Sequence, residues 1–476
     1  MSPVFFETPF GYSIDITFWF KLFSQPPFEI IQSLVVIVGW TLIAFVFIEM
    51  GAELWVMYRQ GKYTKKWQWM LLAVNIPPLY IQTPKAVEQV FAHLSGAKTG
   101  PNLWEKFWLG KKQKWFSIEI VSIDGYIQFL IRCESEFRDL VEAAIYAQYV
   151  EAEITEVEDY VDAISGNFPD KDYNVFGVEF GLGENQAYPI RTYPSFEYNI
   201  SKDLVFSDPM AAILENFSRI GKGENLWFQI ILEPTGNGWK KEGIELVKEI
   251  VTGKKKYKKD RTLLYFFNSV PRKVLLELRN IWYWQFEPDE LGSSEEVEVP
   301  GKVSELTPGV KATVEAVEDK IAKIGFKTKI RILYVARHEA YNPGRCIDGF
   351  IGSLNQFHIQ SRNSIVPTKT TEAFYWFKTR HLDYIKRKFV TAFKKRKLKV
   401  GGSPYILNIE ELATLWHFPL PFVKTPLLQK AETKRGEPPM NLPLELSEQH
   451  IRLKRVGPPE SAVEPEPDVP KELPYA

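Results

Sequence analysis

Residues 386–399 read KRKFVTAFKKRKLK, a run with eight basic residues. Lys378 and Arg380 precede it, and a second basic block, KKKYKKDR, covers residues 254–261. Basic side chains interleaved with Phe389 and Phe393 can follow a phosphate backbone while the rings stack on bases. Lys378, Arg380, Lys386, Arg387, Lys388, Lys394, Lys395, Arg396 and Lys397 are therefore the candidate nucleic-acid contacts. The same spacing also suits an amphipathic helix that turns Phe389, Val390 and Phe393 inward and leaves a solvated basic face. Contact with an acidic membrane surface is a third use of such charge.

Other chemistry finds no support in the letters. There is no G-x-x-x-x-G-K-[ST] phosphate loop, and the glycines at 181 and 183, and at 221 and 223, read as turns. The apolar run IEIVSID ends at Asp124 but has no phosphate loop to serve. Six histidines are scattered without metal-ligand spacing, and no G-x-S-x-G elbow occurs. The acidic run Glu151, Glu153, Glu156, Glu158 and Asp159 reads as a solvated strand face. Cys133 and Cys346 sit in apolar patterns and suit buried thiols of a reducing compartment. No catalytic residue, metal or cofactor is expected, and the chain is read as non-enzymatic.

The elements that would carry these residues are legible from periodicity. Phe116, Ile118 and Ile120 alternate with polar residues, Asp124-Gly125 makes a hairpin turn, and Ile127, Phe129 and Ile131 alternate after it. Phe137, Leu140, Val141, Ala144, Ile145 and Tyr149 recur at helical spacing. A helix is predicted over 83–94, with Thr83 as N-cap and Pro84 in its first turn. A buried strand is predicted within 67–80. After residue 320 the pattern of strand then helix returns, with Asn342-Pro343 opening a helix through Phe357. The segment IEELATLW at 409–416 carries Leu412, Leu415 and Trp416 on one stripe, the candidate contact for a protein partner.

Lys+Arg and Asp+Glu both number 59, so no global charge draws the protein to nucleic acid or acidic lipid. Residues 30–48, IIQSLVVIVGWTLIAFVFI, hold no charge, and as a helix they span about 28 Å, close to the hydrocarbon thickness of a bilayer. The flanks hold Glu7, Asp15 and Glu29 against Lys21 before the run, and Arg59, Lys62, Lys65 and Lys66 after it. That excludes a cleaved signal peptide in favour of a retained single-pass anchor, with the N-terminus outside and the body in the cytoplasm. Aromatic residues such as Trp55 and Tyr58 suit the interface.

The stretches TPKAVEQVFAHLSG, WFSIEIVSIDGYIQFLIR and FRDLVEAAIYAQYVEAEITEVEDY resemble the N-terminal module of membrane-anchored, conjugation-type (type IV secretion, HerA/FtsK-like) ATPases of bacteria. DYNVFGVEFGL, AYPIRTYPSFE and DPMAAILENFSRI extend the likeness. YILNIEELATLWHFP, followed by VKTPLLQKAETKRGEPPMNLP, is similar to the linker into the ATPase core. The chain departs where that core would begin, continuing as LELSEQHIRLKRVGPPE. The resemblance implies a membrane-proximal domain of unknown function without its motor, docking a separately encoded ATPase or transfer-machine subunit at the bacterial plasma membrane, with oligomerisation open.

The expected class is α+β: a single transmembrane helix followed by ferredoxin-like α/β sandwich modules. The expected divisions are an outer segment 1–27, the span 28–50, modules 67–165, 166–286 and 300–400 around an acidic loop 287–299, a linker 401–445, and a Pro- and Glu-rich disordered tail 446–476.

Overall fold

The computed structural model describes residues 5–7, 13–15, 17, 24, 26–77, 82–200, 203–206, 208–252, 307–372 and 378–420. The acidic loop 287–299, the basic block 254–261 and the tail 446–476 lie outside them. The chain divides into two compact units, residues 1–67 with 99–113, and residues 68–98 with 114–476.

In the first unit, β1 (Phe5–Glu7) pairs antiparallel with β2 (Ser13–Asp15). Helix α1 (Pro27–Thr64) has 38 residues. Pro27 at its start lacks an N–H that the first turn would leave unpaired anyway. The stretch Gly39–Thr64 is long and apolar enough to cross a membrane, and none of it is buried. Phe28, Val35, Trp40, Phe47 and Ile48 all stand exposed on α1. A row of large apolar side chains left exposed among the described residues is stable in lipid and costly in water. Residues 99–113 contribute one π-helical turn, Glu105–Leu109, which packs on α1.

The second unit is built on one antiparallel sheet. Its elements, in chain order, are β3 (Trp69–Asn75), α2 (Pro84–Leu94), β4 (Phe116–Ile123), β5 (Tyr126–Glu134), α3 (Arg138–Tyr146), β6 (Glu153–Val157) and β7 (Tyr173–Leu182). There follow the small pair β8 (Glu197–Ile200) and β9 (Asp203–Phe206), α4 (Met210–Ser218), β10 (Glu224–Pro234), α5 (Lys240–Thr252) and α6 (Pro308–Ala322). The last are β11 (Gly325–Arg337), α7 (Pro343–Leu354), β12 (Ile365–Thr370), α8 (Lys378–Lys394), β13 (Tyr405–Asn408) and α9 (Ile409–Leu415).

The strand order is β12-β7-β11-β10-β4-β5-β3-β6, with β13 on the free part of β11 beyond its pairing with β7. The first half, β3 to β6, runs strand, helix, strand, strand, helix, strand, and β7 to β12 repeat that order with the pair β8–β9 and the helices α5 and α6 inserted. In each, the first and third strands lie inside and the fourth and second outside. The halves meet where β4 pairs β10, Phe228 facing Ile120. Strands from 166–286 and from 300–400 thus alternate in one half of one sheet. The strand–helix units β5–α3 and β11–α7 occupy corresponding places in the two halves.

The sequence explains the central strands. Phe116, Ile118 and Ile120 of β4 and Leu226, Phe228 and Ile230 of β10 are buried on the helical face. Asp124 (φ 51) and Gly125 (φ 93) make the left-handed turn between β4 and β5 that Asp-Gly favours. Val121, Leu130, Trp227, Leu333 and Val335 point to the opposite face, which Val390 and Phe393 of α8 cover. Both faces of the sheet are therefore sealed, so the strands read as nearly continuous apolar runs such as LWFQIIL.

Residues 405–418, expected as part of a linker, belong to the core. β13 extends the sheet along β11, and α9 packs on α2. The N–H of Glu411 donates to the Asn408 side-chain oxygen and the N–H of Asn408 donates to the Glu411 carboxylate, a capping box that starts α9.

Candidate functional site

The face of the sheet under α8 carries a row of polar residues in direct register. Glu119 of β4 faces Gln229 of β10, Gln229 faces Arg331 of β11, and Arg331 faces Glu179 of β7. All four are buried. Such groups are tolerable in a core only when paired and hydrogen-bonded. Their partners come from the end of α8 and the residues after it.

Arg396 grips Glu119 with both arms of its guanidinium, Nε to Oε1 at 3.0 Å and a terminal nitrogen to Oε2 at 3.1 Å. It also pairs with Asp159, at 2.5 and 2.9 Å, and donates to the carbonyl of Lys394 at 2.9 Å. Glu119 also accepts from the Tyr160 hydroxyl at 2.7 Å, the Ser117 hydroxyl at 2.6 Å and the Gln229 amide nitrogen at 3.0 Å. Burial alone would raise the Glu119 carboxyl, but the Arg396 charge and these donors hold it down at about 2. Glu179 takes Arg331 Nε at 3.0 Å, Lys329 at 3.4 Å and the Gly402 N–H at 2.5 Å. Lys329 and Arg331 also donate to the carbonyl of Val400. The row thus fastens residues 392–402 to the sheet.

Two glycines let α8 approach. A Cβ at Gly177 would lie 2.3 Å from the Phe389 ring, and one at Gly401 (φ +103) would lie 2.2 Å from Glu179.

These contacts sort the sequence candidates. Arg387, Lys388, Lys395 and Lys397 are exposed on or just past α8. Lys386 is buried and bonds Asn174 at 2.6 Å, and Lys394 donates to the carbonyl of Ile164 at 2.9 Å. Arg396 must be removed from the contact set, because it is fully buried and paired with two carboxylates. The side chains of Lys378 and Arg380 lie outside the described residues. Phe389, Val390 and Phe393 pack inward.

Leu412, Leu415 and Trp416 also require correction. All three are buried. Trp416 sits among Phe91, Phe129 and Phe418, with ring centroids 5.1–6.2 Å away. The stripe is core because α9 folds back on α2, and it offers nothing to a partner.

Sequence reasoning missed the buried ionic groups. Glu119 and Arg331 looked like the polar half of an alternating strand. Glu411 is a second case: it binds Lys320 at 3.0 Å with both side chains fully enclosed. In a third, His417 lies 2.9 Å from Asp208 and 2.7 Å from the carbonyl of Ala413. Both His417 ring nitrogens thus lie against oxygen atoms inside the core. The available signal was charge inside apolar runs, as in FSIEIV and KTKIRILYV.

Cys133 and Cys346 are free, fully buried thiols, and burial pushes Cys133 up to about 12 and also raises Cys346. Among the described residues, no group of three or more His, Cys, Asp or Glu side chains could hold a metal ion.

Residues 102–430 match the model of a family described as a domain of unknown function (DUF8128). No curated protein and no solved structure matches the chain. The matched region covers more than half of the chain, which therefore belongs to the DUF8128 family.

Proposed function

We propose that this DUF8128 protein is a non-catalytic, membrane-anchored adaptor that holds a docking body at the cytoplasmic face of a bacterial plasma membrane. The observation that carries the reading is α1: 38 helical residues bearing exposed apolar side chains over the uncharged run 30–48. The basic flank of Arg59, Lys62, Lys65 and Lys66 supports an inward-facing body.

The likeness to conjugation-type ATPase modules makes a separately encoded motor ATPase the proposed partner, within a DNA- or protein-transfer machine. The strand order within each half of the sheet supports reading both halves as ferredoxin-like. Affinity purification of the full-length chain from detergent tests the partner: a phosphate-loop ATPase should copurify, and its absence from repeated preparations rejects the docking role.

A second reading, nucleic-acid contact, is favoured by the exposed Arg387, Lys388, Lys395 and Lys397 on or just past a helix whose end the polar row fastens to the sheet. Binding of single-stranded DNA should then weaken with salt. Retained binding after Arg387, Lys388, Lys395 and Lys397 are all changed to Glu removes this reading.

A further inference from the structure

Residues 99–113 leave the second unit between α2 and β4 and fold onto α1. The π-helical turn ends at Gly110, whose φ of 73 is left-handed. A Cβ there would lie 2.4 Å from the backbone carbon and oxygen of Arg59. The insert is thus seated directly on the α1 backbone. Trp55 donates its indole N–H to the carbonyl of Phe107 at 2.9 Å, and Arg59 donates to the carbonyl of Trp108. Trp55, Tyr58, Arg59 and Lys62 share one face of α1, at i, i+3, i+4 and i+7.

The seated insert leaves its apolar side chains outward. Trp104 is 63% exposed, Trp108 50% and Leu109 53%. Their rings continue those of α1: Trp104 contacts Trp108, Trp108 contacts Trp55, and Trp55 contacts Tyr58, at centroid distances of 5.3, 6.0 and 6.2 Å. Basic groups ring this aromatic chain. Lys62 lies over Tyr58, Arg59 over Trp55 and Lys106 over Phe107. Residues 59–66 and 99–113 together hold seven basic residues (Arg59, Lys62, Lys65, Lys66, Lys106, Lys111, Lys112) and one acidic residue, Glu105.

Tryptophan and tyrosine beside lysine and arginine form the composition that settles at a bilayer interface, rings at headgroup depth and cations among acidic phosphates. We propose that the 99–113 insert is a second membrane attachment, seated on α1 and dipping Trp104, Trp108 and Leu109 into the headgroup layer of a leaflet rich in anionic lipid. Its continuity with α1 and the excess of positive charge both select a lipid surface over a protein partner. The inference rests on α1 spanning the bilayer. Because the chain passes between the two units three times, at 67–68, 98–99 and 113–114, the insert ties the body to the membrane through more than one strand of chain.

The test uses full-length protein in nanodiscs of phosphatidylcholine with or without phosphatidylglycerol. A nitroxide is placed at Val46→Cys, at Leu109→Cys, or at Lys399→Cys as an exposed control on the second unit. The native thiols at 133 and 346 are buried and do not label. Collision with oxygen, which partitions into lipid, is compared with collision with a water-soluble nickel chelate. Val46 reports the span by itself, so failure of the anchor and failure of the insert are distinguishable.

The expected result is an oxygen-to-nickel ratio at 109 several-fold above that at 399, increasing with phosphatidylglycerol and falling when Gly110→Ala unseats the insert. A ratio at 109 equal to that at 399, with Val46 reading lipid, overturns the proposal. Shielding of 109 from both reagents overturns it too, since a protein partner or a second copy would then cover the insert.

Discussion

Arg396 lies two residues past α8 with a φ of 45°, a conformation that costs an L side chain about 1–2 kcal/mol and usually falls to glycine. The N–H of Lys397 reaches the carbonyl of Ala392 and that of Arg396 reaches Phe393, the bonding of a Schellman helix end with arginine in the glycine place. The guanidinium explains the exception, for it neutralises Glu119 and Asp159 beneath it. Arg396→Gly should therefore destabilise the protein by about 3–5 kcal/mol despite easing the backbone, because a buried carboxylate loses its partner. Urea unfolding of the detergent-solubilised chain measures this, and an unchanged or raised midpoint would refute the clamp.

The same carboxylate sets a pH response. Glu119 is held at about 2 in the folded chain, below its ordinary value near 4.5. Its contribution is fully present above pH about 4.5 and is lost as pH falls toward about 2. Stability should fall through that window, and Glu119→Gln should flatten the fall while lowering stability at neutral pH.

At the scale of elements, the two helices singled out by their letters have opposite fates. Helix α8 turns Val390 and Phe393 to the sheet and Arg387 and Lys388 to solvent, whereas α9 buries its whole apolar stripe. Leu412→Ala should cost about 2–5 kcal/mol by opening a cavity in the core. Changing Arg387 and Lys388 to Glu should shift the unfolding midpoint little, since both are exposed. Thermal melts of the two variants should separate clearly, and equal melts would contradict the packing.

Alternation made β4, β5 and β11 readable because polar residues such as Ser117, Glu119, Gln128, Lys329 and Arg331 interrupt their second face although it is buried, and spacing made α2, α3 and α7 readable because each has one dominant apolar face. The joining of the two halves through β4 and β10 was not readable. A strand buried on both faces loses its period, and pairing across about 100 residues leaves no local mark. The polar row was missed for a related reason: Glu119, Gln229, Arg331 and Glu179 become one structure only when four strands lie in register. The insert escaped notice because Trp104, Trp108 and Leu109 gain meaning only beside Trp55 and Tyr58 of α1.

For the whole molecule, the account depends on a long apolar helix joined to a body whose buried charges Glu119, Glu179, Lys320, Arg331, Arg396 and Glu411 are spent on internal pairs. The body would be held at a membrane by α1, with its basic α8 face available to a partner. Gly110→Ala should leave the sheet intact, since it disturbs only the seat of the insert on α1. Circular dichroism of that variant should match the parent, and loss of folded signal would contradict the separateness of the two units.

The most direct test of the central claim is fractionation of cells expressing the full-length chain, with a carbonate wash of the membranes and protease added outside intact spheroplasts. The account predicts that the chain stays in the washed membrane pellet and that its large C-terminal part resists protease until the membrane is opened. Release of the chain into the soluble fraction, or digestion of that part from outside, would contradict it.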